Sequence, residues 1–270
     1  MSLPNKTQLL PDRPGIPPMA ALPEAETIDT EALARAYASG DIDLVCVLGP
    51  TASDKTRYAV QLARTLGNAE ILSADSRQVY CGMDIGTGKD LGEYGEVPYH
   101  LIDIVPAGTK FNIYEYQAAF AKAWADVCSR GCIPILCGGS GLYIEAATRA
   151  YKFDKENGVP ASELPGKTFY IGTLVTREER VARIDRRLDE RLEEGLVEEV
   201  KGLLDSGIPA EDLLWYGLEY KFVTQYILGE ISYEEMRILL ANAIHQFAKR
   251  QMTWFRGMER DGIRIHWVRV

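Results

Sequence analysis

The segment Gly49-Pro-Thr-Ala-Ser-Asp-Lys55-Thr56 follows a short apolar run, Leu44 to Leu48, and opens a helical pattern that lasts to Leu66. A loop so placed aims the amides of Thr51, Ala52, Ser53 and Asp54 at one anion, and the dipole of the following helix also favours negative charge. The spacing is that of a phosphate loop, G-x-x-x-x-G-K-[ST], except that Asp54 stands where the second glycine belongs. In such a loop Lys55 reaches the terminal phosphate and the Thr56 hydroxyl holds Mg²⁺. Asp tolerates positive φ, so the loop shape is expected to survive. Its carboxylate is harder to place. At about 4 Å from a phosphate it costs on the order of 4 kcal/mol at an effective dielectric of 20, unless it turns away or pairs with a cation. The plain alternative is an ordinary strand-turn-helix connection.

A second candidate group is Asp75, in Ser73-Ala-Asp75-Ser76-Arg77-Gln78-Val-Tyr80, where a predicted strand ends. Ligands of open α/β sheets sit beyond the carboxyl ends of strands, so Asp75 belongs near Lys55. There it is either a proton acceptor or Mg²⁺ partner, or the N-cap of a helix. Farther on, Arg180, Arg183, Arg187 and Arg191 repeat at helical spacing on one face, beside Val181, Ile184, Leu188 and Leu192. They are phosphate ligands or half of solvated ion pairs. From Ile244 to Val270 six Lys or Arg face two acidic residues, with Phe247, Trp254, Phe255 and Trp267 interleaved. That mixture suits an RNA strand, although Met236, Leu239, Leu240, Ala243 and Phe247 have core spacing, and Trp254 is expected to pack rather than stack on a base.

These residues need a scaffold. Strands are expected at Leu44 to Leu48, Ala69 to Ala74, His100 to Val105, Ile133 to Cys137 and Phe169 to Val175, with helices at Lys55 to Leu66 and Tyr114 to Cys128 between them. The alternation implies an α/β fold, a P-loop nucleoside-triphosphatase-like parallel sheet flanked by helices. After Thr176 the pattern turns helical (177–194, 197–206, 220–228, 232–255), with Ile263 to Val268 as a last edge strand. The organisation reads as a proline-rich arm and short helix (1–40), a P-loop core (41–175) and a helical C-terminal lobe (176–270). The arm, with six of thirteen prolines by Pro23, cannot be a helix and carries no apolar signal region.

A net charge of −9 argues against general nucleic-acid binding, and no apolar run is long enough for a membrane helix. Five cysteines with no metal spacing suggest reduced thiols in the cytoplasm, Cys46 and Cys137 lying in core strands. The chain is expected to be a monomer that binds no membrane.

GPTAS-x-KT, SADSRQVY, GMDIGTGKD, CGGSGLYIEA and KRQMTWFR occur in this order, and together they resemble the tRNA dimethylallyltransferase (isopentenyltransferase) family. The resemblance covers Asp43 to Tyr151 and Thr168 to Trp267. It implies transfer of a dimethylallyl group from dimethylallyl diphosphate to the exocyclic amine of adenine, usually the adenosine beside a tRNA anticodon, with Mg²⁺ as cofactor. Asp75 is then the general base, Ser140 touches the diphosphate near the scissile oxygen, and Arg187, with Arg183, joins Gly49, Thr51, Ala52, Ser53, Asp54, Lys55 and Thr56 around that group. Ser76, Arg77 and Gln78 border the acceptor base, and Lys249, Arg250, Gln251, Thr253 and Arg256 match the tRNA-contacting segment. Three features depart from the family pattern. They are Asp54, Glu219 in place of a glycine in Glu219-Tyr-Lys221, and a short Tyr151–Lys167 linker where members carry an insertion that grips the anticodon stem. Two further readings stay open, a free adenine nucleotide as acceptor and a scaffold impaired by Asp54.

Overall fold

The computed structural model describes residues 22–148 and 158–270. Most of the proline-rich arm and the first part of the 151–167 linker lie outside them. In chain order the elements are α1 (Thr30–Ala38), β1 (Leu44–Leu48), α2 (Lys55–Leu66), β2 (Ala69–Ser73), β3 (Tyr80–Cys81), β4 (Tyr99–His100), β5 (Val105–Pro106), α3 (Ile113–Ser129), β6 (Ile133–Gly138) and α4 (Gly141–Thr148). There follow β7 (Thr168–Leu174), α5 (Arg177–Glu194), α6 (Leu196–Asp205), α7 (Ala210–Tyr216), α8 (Leu218–Ile227), α9 (Tyr233–Arg260) and β8 (Ile265–Arg269).

Six strands form one parallel sheet in the order β4-β2-β6-β1-β7-β8. Every residue of β1 is buried, as a strand covered on both faces requires. Its alternation divides the core. Val45 and Val47 face Ala59, Val60 and Ala63 of α2 and Leu33 of α1. Leu44, Cys46 and Leu48 face the other way, into the layer of Phe120, Ile144, Leu188, Tyr220 and the buried stripe Met236, Leu240, Ile244 and Ala248 of α9. The late helices thus share the core of the sheet's second face. Through α2 the chain leaves β1 toward β2, while through α4 it leaves β6 toward β7, so a crevice opens at the carboxyl ends of β1 and β6.

Local signals place the helices that border this crevice. Thr176 caps α5 and Glu179 reaches back to the Thr176 amide, forming a capping box, and the helix ends at Gly195 with φ 107°. Ser232 and Glu235 do the same for α9. The strand expected at His100–Val105 is not one strand. Leu101 and Asp103 turn left-handed, with φ of 66° and 54°. Residues before that bend pair with β2 and those after it pair with β3. Two helices have no counterpart in the sequence reading. GLYIEAAT of α4 is too uniformly apolar to show a period, and AEDLLWY of α7 is only seven residues long.

Candidate active site

The loop from Gly49 to Thr56 curls at the carboxyl end of β1, with Ala52 and Asp54 both left-handed (φ 58° and 51°). Ser53 is buried beneath it. Its hydroxyl donates to Pro50 O at 2.8 Å and lies 2.7 Å from Thr173 Oγ1. A Cβ on Gly49 would run into those same two hydroxyls, so only glycine fits there. The Thr51 amide donates to Gln251 Oε1 at 2.8 Å, whereas the amides of Ala52 to Thr56 find no acceptor among the described residues. A cavity of about 450 Å³ opens over them, walled by Asp54, Lys55 and Thr56 on one side and by Arg183, Arg187 and Arg191 of α5 on the other.

Asp54 does not point its charge into an empty loop. Arg183 Nη1 donates to its Oδ2 at 2.6 Å. One turn on, Arg187 pairs closely with Asp90. Burial pushes the Lys55 ammonium below its ordinary range against the pull of Asp75, so an added anion would favour its charged form.

A smaller recess, about 40 Å³, joins Lys55 and Thr56 to Asp75, Arg77, Gln78, Gly88, Arg191 and Phe247. No helix follows Asp75, which excludes the N-cap reading. Instead Oδ1 accepts the Arg77 amide at 3.0 Å in a local turn. Gln78 is buried, accepting from Ser73 Oγ at 3.1 Å and donating to Gly88 O at 3.1 Å. Gly88 has φ 60°, and a Cβ on it would collide with the guanidinium groups of Arg191 and Arg187. Its loop is tied from below. Lys89, 1% exposed, donates to Tyr80 O at 2.7 Å and Asp84 Oδ1 at 2.6 Å and pairs with Asp103. Glu199 of α6 accepts the amides of Asp84, Ile85 and Gly86 at 2.8, 2.6 and 3.0 Å.

Ser140, Gln251 and Arg180 sit apart from the walls of the larger cavity. Ser140 lines neither cavity; its hydroxyl accepts the Ser76 amide at 3.0 Å and lies 3.2 Å from Ser76 Oγ, bracing the turn that holds Asp75. Gln251 lines the smaller recess. It is buried and joins Thr51 of the P-loop to Gly139 O, to which it donates at 3.0 Å, because its position on α9 faces the sheet. Arg180 lies outside the walls of both cavities, although Arg183, Arg187 and Arg191 line the larger one. Lys249, Arg250 and Thr253 are exposed on the outer face of α9, and Arg256 is half-buried. Trp254 lies against Gly141 yet stays 41% exposed, so it packs on one side only. Phe247 bridges the two faces, with Arg77 5.6 Å from its ring centre and Arg250 5.9 Å away. Thr87, Gly88 and Glu199 had no assigned role in the sequence; the glycines of GMDIGTGKD were the signal that could have found the first two.

A parallel sheet with an anion loop at its switch point, a rim of arginines and one carboxylate beside the loop lysine defines a P-loop transferase-type site for a phosphorylated donor. The comparisons make the class specific. The model of the family described as IPP transferase matches residues 78–165 and 152–258. The tRNA dimethylallyltransferase 2 of Porphyromonas gingivalis (strain W83) is 47% identical over 83% of this chain and 93% of its own length. The enzyme of the same name from Bacteroides fragilis (strain ATCC 25285) is 43% identical over 84% and 93%. Among solved structures, the tRNA isopentenylpyrophosphate transferase of Bacillus halodurans superposes with a TM-score of 0.73 at 30% identity, covering 84% of this chain and 89% of that one. The chain belongs to the IPP transferase family. The alignment to the P. gingivalis relative runs over 282 positions yet takes in only 83% of these 270 residues, so it contains positions to which this chain contributes nothing.

Proposed function

We propose that this chain transfers the dimethylallyl group of dimethylallyl diphosphate to the exocyclic amine of an adenosine in tRNA. The observation that carries the reading is that two cavities adjoin, with Lys55, Thr56, Arg187 and Arg191 in the walls of both and Asp75 in the recess alone. A diphosphate fits the P-loop side, where the free amides, Lys55 and the α5 arginines meet the charge that grows as the allylic C–O bond breaks. Diphosphate is the leaving group. As the amine nitrogen bonds to the allylic carbon, Asp75 takes the proton that it sheds. Confinement in the recess aligns amine and carbon.

Mg²⁺ fits this arrangement as a diphosphate-bound ion. Among the described residues no group of three or more His, Cys, Asp or Glu could cage a metal, and the Thr56 hydroxyl at the start of α2 lines both cavities. Thr56 and the diphosphate oxygens would hold the ion, which would neutralise the leaving group.

The Asp54–Arg183 pair answers the main objection to activity, since the loop carboxylate already has its cation. The relatives' names favour tRNA over a free nucleotide as acceptor. Among the described residues no helix is long and apolar enough to cross a membrane, and the cytoplasm is the compartment proposed. The test is incubation with dimethylallyl diphosphate and either unmodified tRNA or AMP, followed by mass spectrometry of the nucleosides. Prenylated adenosine from tRNA is expected; product from AMP alone, or from neither, overturns the reading.

A further inference from the structure

Glu219, where the family pattern has glycine, lies directly behind the acceptor side. The chain enters α8 through Gly217 and Leu218, with φ of 72° and 43°, and this turn carries the Glu219 side chain inward to 3% exposure. A carboxylate so deep is uphill unless paired. Its Oε2 forms a close ion pair with Arg77 Nη1, and its Oε1 lies 3.6 Å from Arg191 Nη1. Both arginines are themselves mostly buried, at 15% and 12% exposure, and both face the recess that holds Asp75.

The charges around that recess are uneven. Lys55, Arg77, Arg187 and Arg191 supply four cations to its wall, and Asp75 supplies a carboxylate. Burial lowers Arg191 to about 10, with Arg187 adding to the effect and Glu219 opposing it. For Arg77 burial also works against the charge, but Glu219 and then Asp75 outweigh it and hold the guanidinium above its ordinary range. The Arg77 guanidinium thus has its ion pair with Glu219 behind it, lines the recess beside Asp75, and has the Phe247 ring next to it to limit where it can go.

Building on the proposed reaction, we propose that Glu219 is a positioning residue, one that draws Arg77 back from Asp75 and so leaves the Asp75 carboxylate open to the attacking amine. Without the Glu219 charge, Arg77 closes on Asp75 and occupies the proton acceptor. The glycine-to-Glu departure is then part of the site's working order rather than a loss.

The test is Glu219→Gln, which keeps the shape and removes the charge. Turnover of dimethylallyl diphosphate with tRNA falls roughly 10-fold or more, a part of the roughly 10²–10⁴-fold that a positioned base contributes. The Kd for inorganic pyrophosphate, measured by calorimetry, stays the same or tightens, because a negative charge has left the cationic site. Crystals of the variant have the Arg77 guanidinium on the Asp75 carboxylate. In an Arg77→Ala background the same substitution costs less than about 3-fold, since the group it restrains is gone. Turnover within 2-fold of the parent, loss of pyrophosphate binding together with turnover, independent multiplication of the two substitutions, or an unmoved Arg77 in the crystals each overturns the proposal. The Arg77 position is read without activity, so it separates this claim from the proposed reaction, which falls only if the parent protein prenylates no tRNA.

Discussion

The two ends of the same parallel sheet handle charge in opposite ways. At the amino-terminal end, Glu70 on β2 is 7% exposed and fully committed. It accepts from His100 Nε2 and Arg130 Nη2, both at 2.6 Å, while Arg130 also pairs with Asp126. Nearby, Tyr37 donates to Cys132 O at 3.0 Å. At the carboxyl end, Asp54, Asp90 and Glu219 hold Arg183, Arg187, Arg77 and Arg191 around open space, and the P-loop amides of Ala52 to Thr56 have no acceptor among the described residues. One end spends its ion pairs on closing the structure. The other keeps Arg187 on a carboxylate, Asp90, that a diphosphate can replace, because a multiply charged phosphate outcompetes a single carboxylate for amides and guanidinium groups.

The comparison can be broken most severely at Asp75. Asp75→Ala is expected to lower turnover by about 10²–10⁴-fold, the usual worth of a positioned base, with pyrophosphate affinity retained; steady-state rates and calorimetry decide it, and unchanged turnover removes the assigned role. Next in size is Gln251→Ala. It strips a partner from both the Thr51 amide and Gly139 O, so about 1–3 kcal/mol of stability and roughly 10-fold in pyrophosphate affinity should go together. A thermal melt unchanged by this substitution would show that the brace is dispensable.

Asp54→Gly should act in the opposite direction. Glycine accepts the left-handed φ at no cost, and Arg183 is released, so pyrophosphate binding should tighten by several-fold. Weaker binding would mean that the Asp54–Arg183 pair helps to shape the loop. The smallest effect on chemistry is expected at the far end. Glu70→Gln should cost about 1 kcal/mol, since Arg130 is half in solvent, and leave kcat/KM for the diphosphate unchanged. Burial tends to raise the Glu70 carboxyl, but His100 and Arg130 overcome it and hold it below its ordinary value of 4.5. Its contribution is therefore complete above that value and fades as pH falls through the lowered one. Denaturant titrations of both forms at neutral and acid pH should converge as the pH drops, and parallel curves would deny Glu70 this role.

How much was legible in the sequence depended on range. The strands of the sheet's centre, the P-loop between β1 and α2, the arginine spacing of α5 and the capping boxes of α5 and α9 are written in local patterns, because burial on two faces, helix period and cap chemistry act within a few residues. Left-handed tolerance at Asp54 belongs to the same class. The break at Leu101 and Asp103 left no such mark, since an apolar His100–Val105 run reads as one strand until its two halves find different partners.

Everything that sets the site's charge was decided by the tertiary fold. That Asp54 meets Arg183, that Gln251 turns inward to the P-loop, that Ser140 braces Ser76 and that Glu219 stands behind Arg77 are contacts between residues 64 to 200 positions apart. The sequence by itself determined which residue types reach the rim of the sheet. Which of them face one another follows from how α5, α8 and α9 pack over it, and the sign and reach of each charge depend on that distance and burial, which no local pattern carries.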